Sequence, residues 1–124
     1  MEFYRCPHCG NLVMMIQKSG VPIICCGEPM KLLTENTTDG AAEKHVPAVS
    51  REGNTVHVTI GSVAHPMIAA HYIQWIALET TNGAQIKYLH PDEEPKADFI
   101  LKENEQVLKV YEYCNLHGLW SITL

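Results

Sequence analysis

Two pairs of cysteines lie near the start of the sequence: Cys6 and Cys9 in Cys6-Pro7-His8-Cys9-Gly10, and the adjacent Cys25 and Cys26 before Gly27. Two thiolates two residues apart can grip one metal ion from a tight turn. Gly10, free to take positive φ, helps amides point back toward sulfur. The second pair departs from the two-residue spacing usual in a zinc ribbon, and adjacent ligands on one metal require a distorted backbone and an irregular tetrahedron. Four thiolates select Zn²⁺ or iron, and the spacing alone does not choose between them. The competing reading is a redox-active Cys-x-x-Cys or a strained vicinal disulfide. The metal reading is preferred because both pairs sit in a stretch too poor in large apolar residues to fold on its own core. His8, inside the knuckle, reads as a solvent-facing loop residue.

The fifth cysteine stands apart, in Cys114-Asn115-Leu116-His117-Gly118, a Cys-x-x-His pair with a ligand-like bite. Three more of the seven histidines sit in loop-like contexts: His45 in Glu43-Lys44-His45-Val46-Pro47, His65 before Pro66, and His71 at the head of His71-Tyr72-Ile73-Gln74-Trp75-Ile76. A residue before proline is pushed toward extended backbone, which suits His65 to a loop. Taken singly, each histidine is more often structural or solvated than a ligand. His57 reads as a solvent-facing strand residue and His90 as the end of a strand.

The elements that must position these side chains are mainly β. The chain has 124 residues, 46% of them hydrophobic and 19% charged, with a formal net charge of −5. That composition is globular. The acidic balance, with no Lys/Arg cluster, argues against nucleic acid as a partner. No apolar run is long enough to span a bilayer. The N-terminus lacks a basic start followed by an apolar core, and five cysteines make a closed disulfide framework a poor fit, so a reducing, cytoplasmic setting is expected. Residues 1–36 form a small module, and the polar, turn-rich Thr34–Gly40 stretch reads as a linker into a second domain, 37–124.

Within that domain Val56, Val58 and Ile60 alternate with His57 and Thr59, the pattern of a half-buried strand. Further strands are expected near Val46–Ser50, over Tyr72–Thr80 and Ala84–Leu89, over Ala97–Leu101 and Gln106–Tyr113, and at Leu119–Leu124. Asn82-Gly83 predicts a type I′ hairpin turn. In the Gln106–Tyr113 strand, Val107, Lys109, Tyr111 and Tyr113 share one face, and Leu108, Val110 and Glu112 the other. Seven strands with regular turns suggest a β-sandwich. One helical turn or two is expected over Asp39–Lys44.

The combination of Cys-x-x-Cys, Cys-Cys, Glu-Lys-His-Val-Pro, His-Pro-Met, His-Tyr-Ile-Gln-Trp-Ile and Cys-Asn-x-His-Gly, in that order over nearly the whole chain, resembles desulfoferrodoxin, the two-iron superoxide reductase family. Ala48 is a mild departure, at a position where the family often carries a branched residue. The resemblance implies a desulforedoxin-like module followed by an immunoglobulin-like β-sandwich, and two iron ions per chain. The first iron would be held by Cys6, Cys9, Cys25 and Cys26. The second would take four basal nitrogens from His45, His65, His71 and His117 and an axial sulfur from Cys114.

The activity implied is one-electron reduction of superoxide to hydrogen peroxide at an open ferrous site, without oxygen release and with an external donor, rubredoxin in the family, restoring the iron. Lys44 would attract the anion and help place a proton-donating water, and Glu43 would occupy the sixth position of the oxidised iron. Without the adjoining His45, Lys44 would read as an ordinary surface lysine, and Glu43 reads equally as a solvated loop carboxylate. The family is typically homodimeric. An electron carrier using only the thiolate iron would have no need of an open His4Cys site, and metal analysis with a visible spectrum separates a zinc-binding structural or adaptor module.

Overall fold

The computed structural model describes residues 1–38 and 40–124. The chain divides into two compact units, Met1–Thr34 and Glu35–Leu124. In the first unit β1 (Glu2–Arg5) pairs antiparallel with β2 (Leu12–Met15). β3 (Ile24–Cys25) and β4 (Glu28–Pro29) form a separate two-stranded ribbon, and β5 (Lys31–Leu32) joins the free edge of β1. Among its described residues, only Phe3, Cys6 and Met30 are buried apolar side chains. So small an apolar set leaves the geometry around the cysteines to carry much of this unit.

The second unit begins with α1 (Ala42–His45), a single turn. The helical turn expected over residues 39–44 therefore lies slightly later, and Asp39 itself is outside the described residues. The turn stops at Val46, extended at φ −69°, ψ 125°, because Pro47 follows and disfavours helical backbone in the residue before it.

The strands then run β6 (Pro47–Glu52), β7 (Thr55–Ile60), β8 (Ile73–Thr80), β9 (Gly83–Tyr88), β10 (Lys96–Ile100), β11 (Val107–Cys114) and β12 (Gly118–Thr123). They make two antiparallel sheets, ordered β10-β7-β6 and β12-β11-β8-β9. Val56, Val58, Ile60 and Phe99 from one sheet and Ile73, Ile76, Leu78, Val110 and Cys114 from the other belong to one buried cluster. This is the expected seven-stranded sandwich. The strands form where alternation places one apolar face inward. No helix among the described residues is long and apolar enough to cross a membrane.

One turn differs from expectation. Thr80 pairs with Gly83, so the β8–β9 loop is Thr81-Asn82, one residue earlier than the Asn-Gly dipeptide suggests. Among described non-glycine residues positive φ occurs only at Cys26, Asn36, Asp92 and Asn104, so a type I′ turn, which needs it at both central positions, is not formed. The Thr80 hydroxyl accepts from the Asn82 N–H at 3.1 Å, and this side-chain capture fixes the turn.

Candidate metal centres

The four N-terminal sulfurs lie within 4.8 Å of one another. Cys6 and Cys9 flank a tight knuckle closed by the Gly10 N–H to the Cys6 carbonyl at 3.1 Å and the Cys6 N–H to the Asn11 carbonyl at 2.8 Å. Gly10 has φ +82°, as its place at the knuckle requires. Amides point at sulfur: Cys9 N–H to Cys6 Sγ and Asn11 N–H to Cys9 Sγ, each 3.5 Å. The adjacent pair brings the distortion foreseen from its spacing. Cys26 sits at φ +52°, a left-handed conformation rare for a residue with a Cβ. His8 stays out of the cluster and meets Glu28 at 3.0 Å.

Cys6 and Cys26 are pushed in opposite directions. The Cys9 N–H holds the Cys6 thiol down at about 6. Hydrogen bonding among the crowded sulfurs, that from Cys9 foremost, pushes Cys26 up to about 12. A bound cation resolves the conflict, because metal binding takes up thiolates and releases protons.

The second centre is assembled from the end of α1, the β7–β8 connection, the β11–β12 turn and a strand end. His45 closes α1, His65 lies between β7 and β8, His71 precedes β8, and Cys114 and His117 bracket the β11–β12 turn. A register shift between Tyr113 and Cys114 pairs Tyr113 with Trp75 but Cys114 with Ile73. This bulge breaks the regular pairing at the ligand, a common device beside functional sites. Cys114 is fully buried. Burial raises its thiol pKa, and the backbone N–H groups of His117 and Leu116 oppose that rise.

The four imidazoles close a square. Centroid distances are 4.6 Å for His45–His65, 4.8 Å for His65–His71, 4.9 Å for His71–His117 and 4.9 Å for His117–His45, with neighbouring rings at 68° to 83°. Ligand atoms of His45, His65, His117 and Cys114 lie within 4.8 Å of one another. His71 falls outside that tight group but supplies the fourth side of the square.

Ring nitrogens are assigned by their other bonds. His65 Nδ1 bonds the Pro66 carbonyl at 2.6 Å, leaving Nε2 for a metal. His45 Nδ1 faces Glu112 Oε1 at 3.2 Å, and its Nε2 faces His117 Nδ1 at 3.0 Å. The Nε2 atoms of His65 and His71 are buried with no partner, an arrangement that costs free energy unless something binds there. Burial lowers the pKa of His45 to about 4 and also lowers those of His65 and His71, with the Lys44 charge contributing to all three. Neutral imidazoles are the form that ligates metal.

Asn115 ties the turn to the neighbouring ligand segment. Its side chain accepts from the Tyr72 N–H at 2.9 Å and donates to the Ala70 carbonyl at 3.0 Å, straddling His71. Glu43 and Lys44 are exposed on α1. The Glu43 carbonyl accepts from Ser62 and Val63 N–H at 2.7 and 3.0 Å. Gly61 lies so close beneath that a Cβ there would sit 2.7 Å from the Lys44 carbonyl oxygen. Sequence alone gives Glu112 no role. Its signal was a carboxylate on the apolar face of β11, two residues before Cys114.

The desulfoferrodoxin family model matches residues 37–123, and the model of the desulfoferrodoxin N-terminal domain matches residues 1–33. The chain belongs to the desulfoferrodoxin family. It is 49% identical over 120 residues to the desulfoferrodoxin of Nitratidesulfovibrio vulgaris, covering 97% of this chain and 94% of that one. It is 36% identical to the superoxide reductase of Pyrococcus horikoshii, over 71% of this chain and 91% of that one. The crystal structure of the superoxide reductase from Treponema pallidum superposes with a TM-score of 0.82 at 41% identity, covering 98% of each chain. Both donor sets fit the family's iron: four thiolates in one unit, and imidazoles with one thiolate in the other, where buried nitrogens lack partners.

Proposed function

We propose that this chain is a superoxide reductase, converting superoxide to hydrogen peroxide with one electron and two protons and releasing no oxygen. The observation that carries this is the closed square of four imidazoles joined by a buried thiol. His45, His65, His71, His117 and Cys114 hold one iron, and Cys6, Cys9, Cys25 and Cys26 the other. Iron in the first of these sets would supply a one-electron couple, and five protein ligands would leave it room to take a small anion.

The rest of the work belongs to side chains. Lys44, exposed on α1, draws the anion toward the site and holds a proton-donating water at its Nζ. Glu43, on the same turn, would offer its carboxylate to the oxidised iron. Cys114, sealed from water, would hold the iron through its sulfur and push electron density toward it. The four-thiolate iron organises a unit with few buried apolar side chains.

An external one-electron donor, a rubredoxin, would return the electron to the site. Two copies of the chain associate, a reading supported by Tyr88 and Ile100, which lie exposed on the edge strands β9 and β10 where sheets are open to pairing. Five free thiols suit a reducing compartment such as the cytoplasm. The test is pulse radiolysis of the reduced, iron-loaded protein. One peroxide should appear per superoxide consumed, with no oxygen. Oxygen evolved in the proportion of a dismutase overturns the proposal.

A further inference from the structure

Trp120 touches two members of the imidazole square in two different ways. Its indole stacks on the His45 ring, 4.9 Å between centroids and 14° from parallel. Its Nε1–H donates to the His117 carbonyl at 3.0 Å. The side chain is only 4% exposed, so it occupies a single well-packed place. In sequence it reads as an ordinary core or shielding aromatic.

Register explains how one residue reaches both. Trp120 on β12 stands opposite Glu112 on β11. Cross-strand partners share a face of the sheet, and His45 lies against both: Trp120 covers the ring's face and Glu112 bonds its Nδ1 edge. Two residues back along β12, Gly118 pairs with Cys114, so the same strand carries the turn that bears His117. The His117 carbonyl also accepts from the Thr38 hydroxyl. Its main chain is therefore held by two donors, one of them fixed to the ring of another ligand residue. Only tryptophan combines a broad flat face with a buried N–H donor in one rigid side chain.

We propose that Trp120 is a positioning residue for the histidine–thiolate centre, setting the His45 ring and the His117 main chain at their ligand separation before metal arrives. The inference rests on the ligand assignment made above. Trp120 acts through those ligands.

The test uses the full-length chain loaded with cobalt(II), whose ligand-field bands report coordination geometry and whose dissociation constant is measured by competition with a chelator. Far-ultraviolet circular dichroism checks the fold. Trp120→Leu should weaken cobalt at the histidine–thiolate centre about 10-fold or more, the usual scale for a group orienting a ligand, and shift its bands. Trp120→Phe keeps a ring to stack but loses the donor. It should weaken binding about 3-fold, the scale of one hydrogen bond, with bands between the two. Bands of the four-thiolate site should not move in either variant. Parent-like affinity and bands in Trp120→Phe overturn the proposal, and that variant decides alone if Trp120→Leu does not fold. If the parent chain binds no cobalt beyond the four-thiolate site, the ligand assignment fails and takes this inference with it.

Discussion

Glu112 meets His45 3.2 Å from Oε1 to Nδ1, with side-chain exposures of 0% and 1%. A carboxylate behind a ligating imidazole fixes the tautomer and leaves the far nitrogen for metal. The other carboxylate oxygen, Oε2, is buried with no hydrogen-bond partner. Burial pushes the Glu112 pKa up to about 9, and a cation beside His45 opposes that shift.

Glu112→Gln should therefore act oppositely on the two states of the protein. In the metal-free chain, Glu112 has a folded pKa of about 9 against 4.5 for the free side chain. Stability drawn from the neutral form is complete below 4.5 and is lost as pH rises toward 9. Urea unfolding of metal-free Glu112→Gln should show that alkaline loss flattened. Iron affinity at the same centre should fall about 10- to 100-fold. A parent-like pH slope together with parent-like affinity would refute the pairing's role.

His45 gives the mirror-image dependence. Its folded pKa of about 4 lies below the ordinary 6.5, and those of His65 and His71 are lowered in the same direction. The unfolded chain then binds more protons, so stability is present above 6.5 and is lost as pH falls toward 4. The Glu112→Gln background isolates this effect. Its metal-free denaturation midpoint should drop steadily over that interval, and a constant midpoint would show that the imidazoles are not desolvated.

The two donor sets should be separable by mutation. Cys114→Ser or His117→Ala should remove or distort the second iron while the four-thiolate absorption persists. Cys9→Ser should abolish that absorption and spare superoxide reduction. Full reduction by both of the first pair, or none by Cys9→Ser with its second iron in place, would break the assignment.

Lys44→Ile should slow superoxide encounter by about 2- to 10-fold at low salt, since a local positive charge steers an anion. The gap should narrow near physiological ionic strength, where the screening length is about 8 Å. Stopped-flow mixing at two salt concentrations measures it, and equal rates at both would remove steering from the role of Lys44.

Gly61→Ala probes the support under that lysine. Gly61 has φ +78°, and a Cβ would lie 2.7 Å from the carbonyl oxygens of Lys44 and Val63. Backbone cannot yield as a flexible side-chain tip can, so the substitution should cost about 2 kcal/mol or more. It should also weaken iron binding, because the displaced turn carries His45. Calorimetry and a chelator titration read the two effects.

The two side-chain clusters were legible in the sequence because short motifs hold their members: Cys6 with Cys9, and Cys114 with His117. Most strands were legible because Val56, Val58 and Ile60, or Val110 and Glu112, alternate with the pleat. What sequence left open depends on three-dimensional capture. The β8–β9 turn slips by one residue because the Thr80 hydroxyl takes the Asn82 N–H. The choice between Nδ1 and Nε2 in His65 and His45 is made by the Pro66 carbonyl and by Glu112, and the latter is 67 positions away from its partner. Trp120 is an ordinary apolar residue in the sequence, and only the β11–β12 register sets it against His45.

The spread of ligands along the chain gives biosynthesis an order. During translation the four-sulfur set is complete once Cys26 has emerged, whereas the imidazole square must wait for His117. A ribosome-bound chain can therefore acquire its first metal while half-made, before the sandwich that shapes the second centre exists. The imidazole square comes together only when nearly every strand is in place, so a chain stopped before His117 carries the four-sulfur set without the second ligand group.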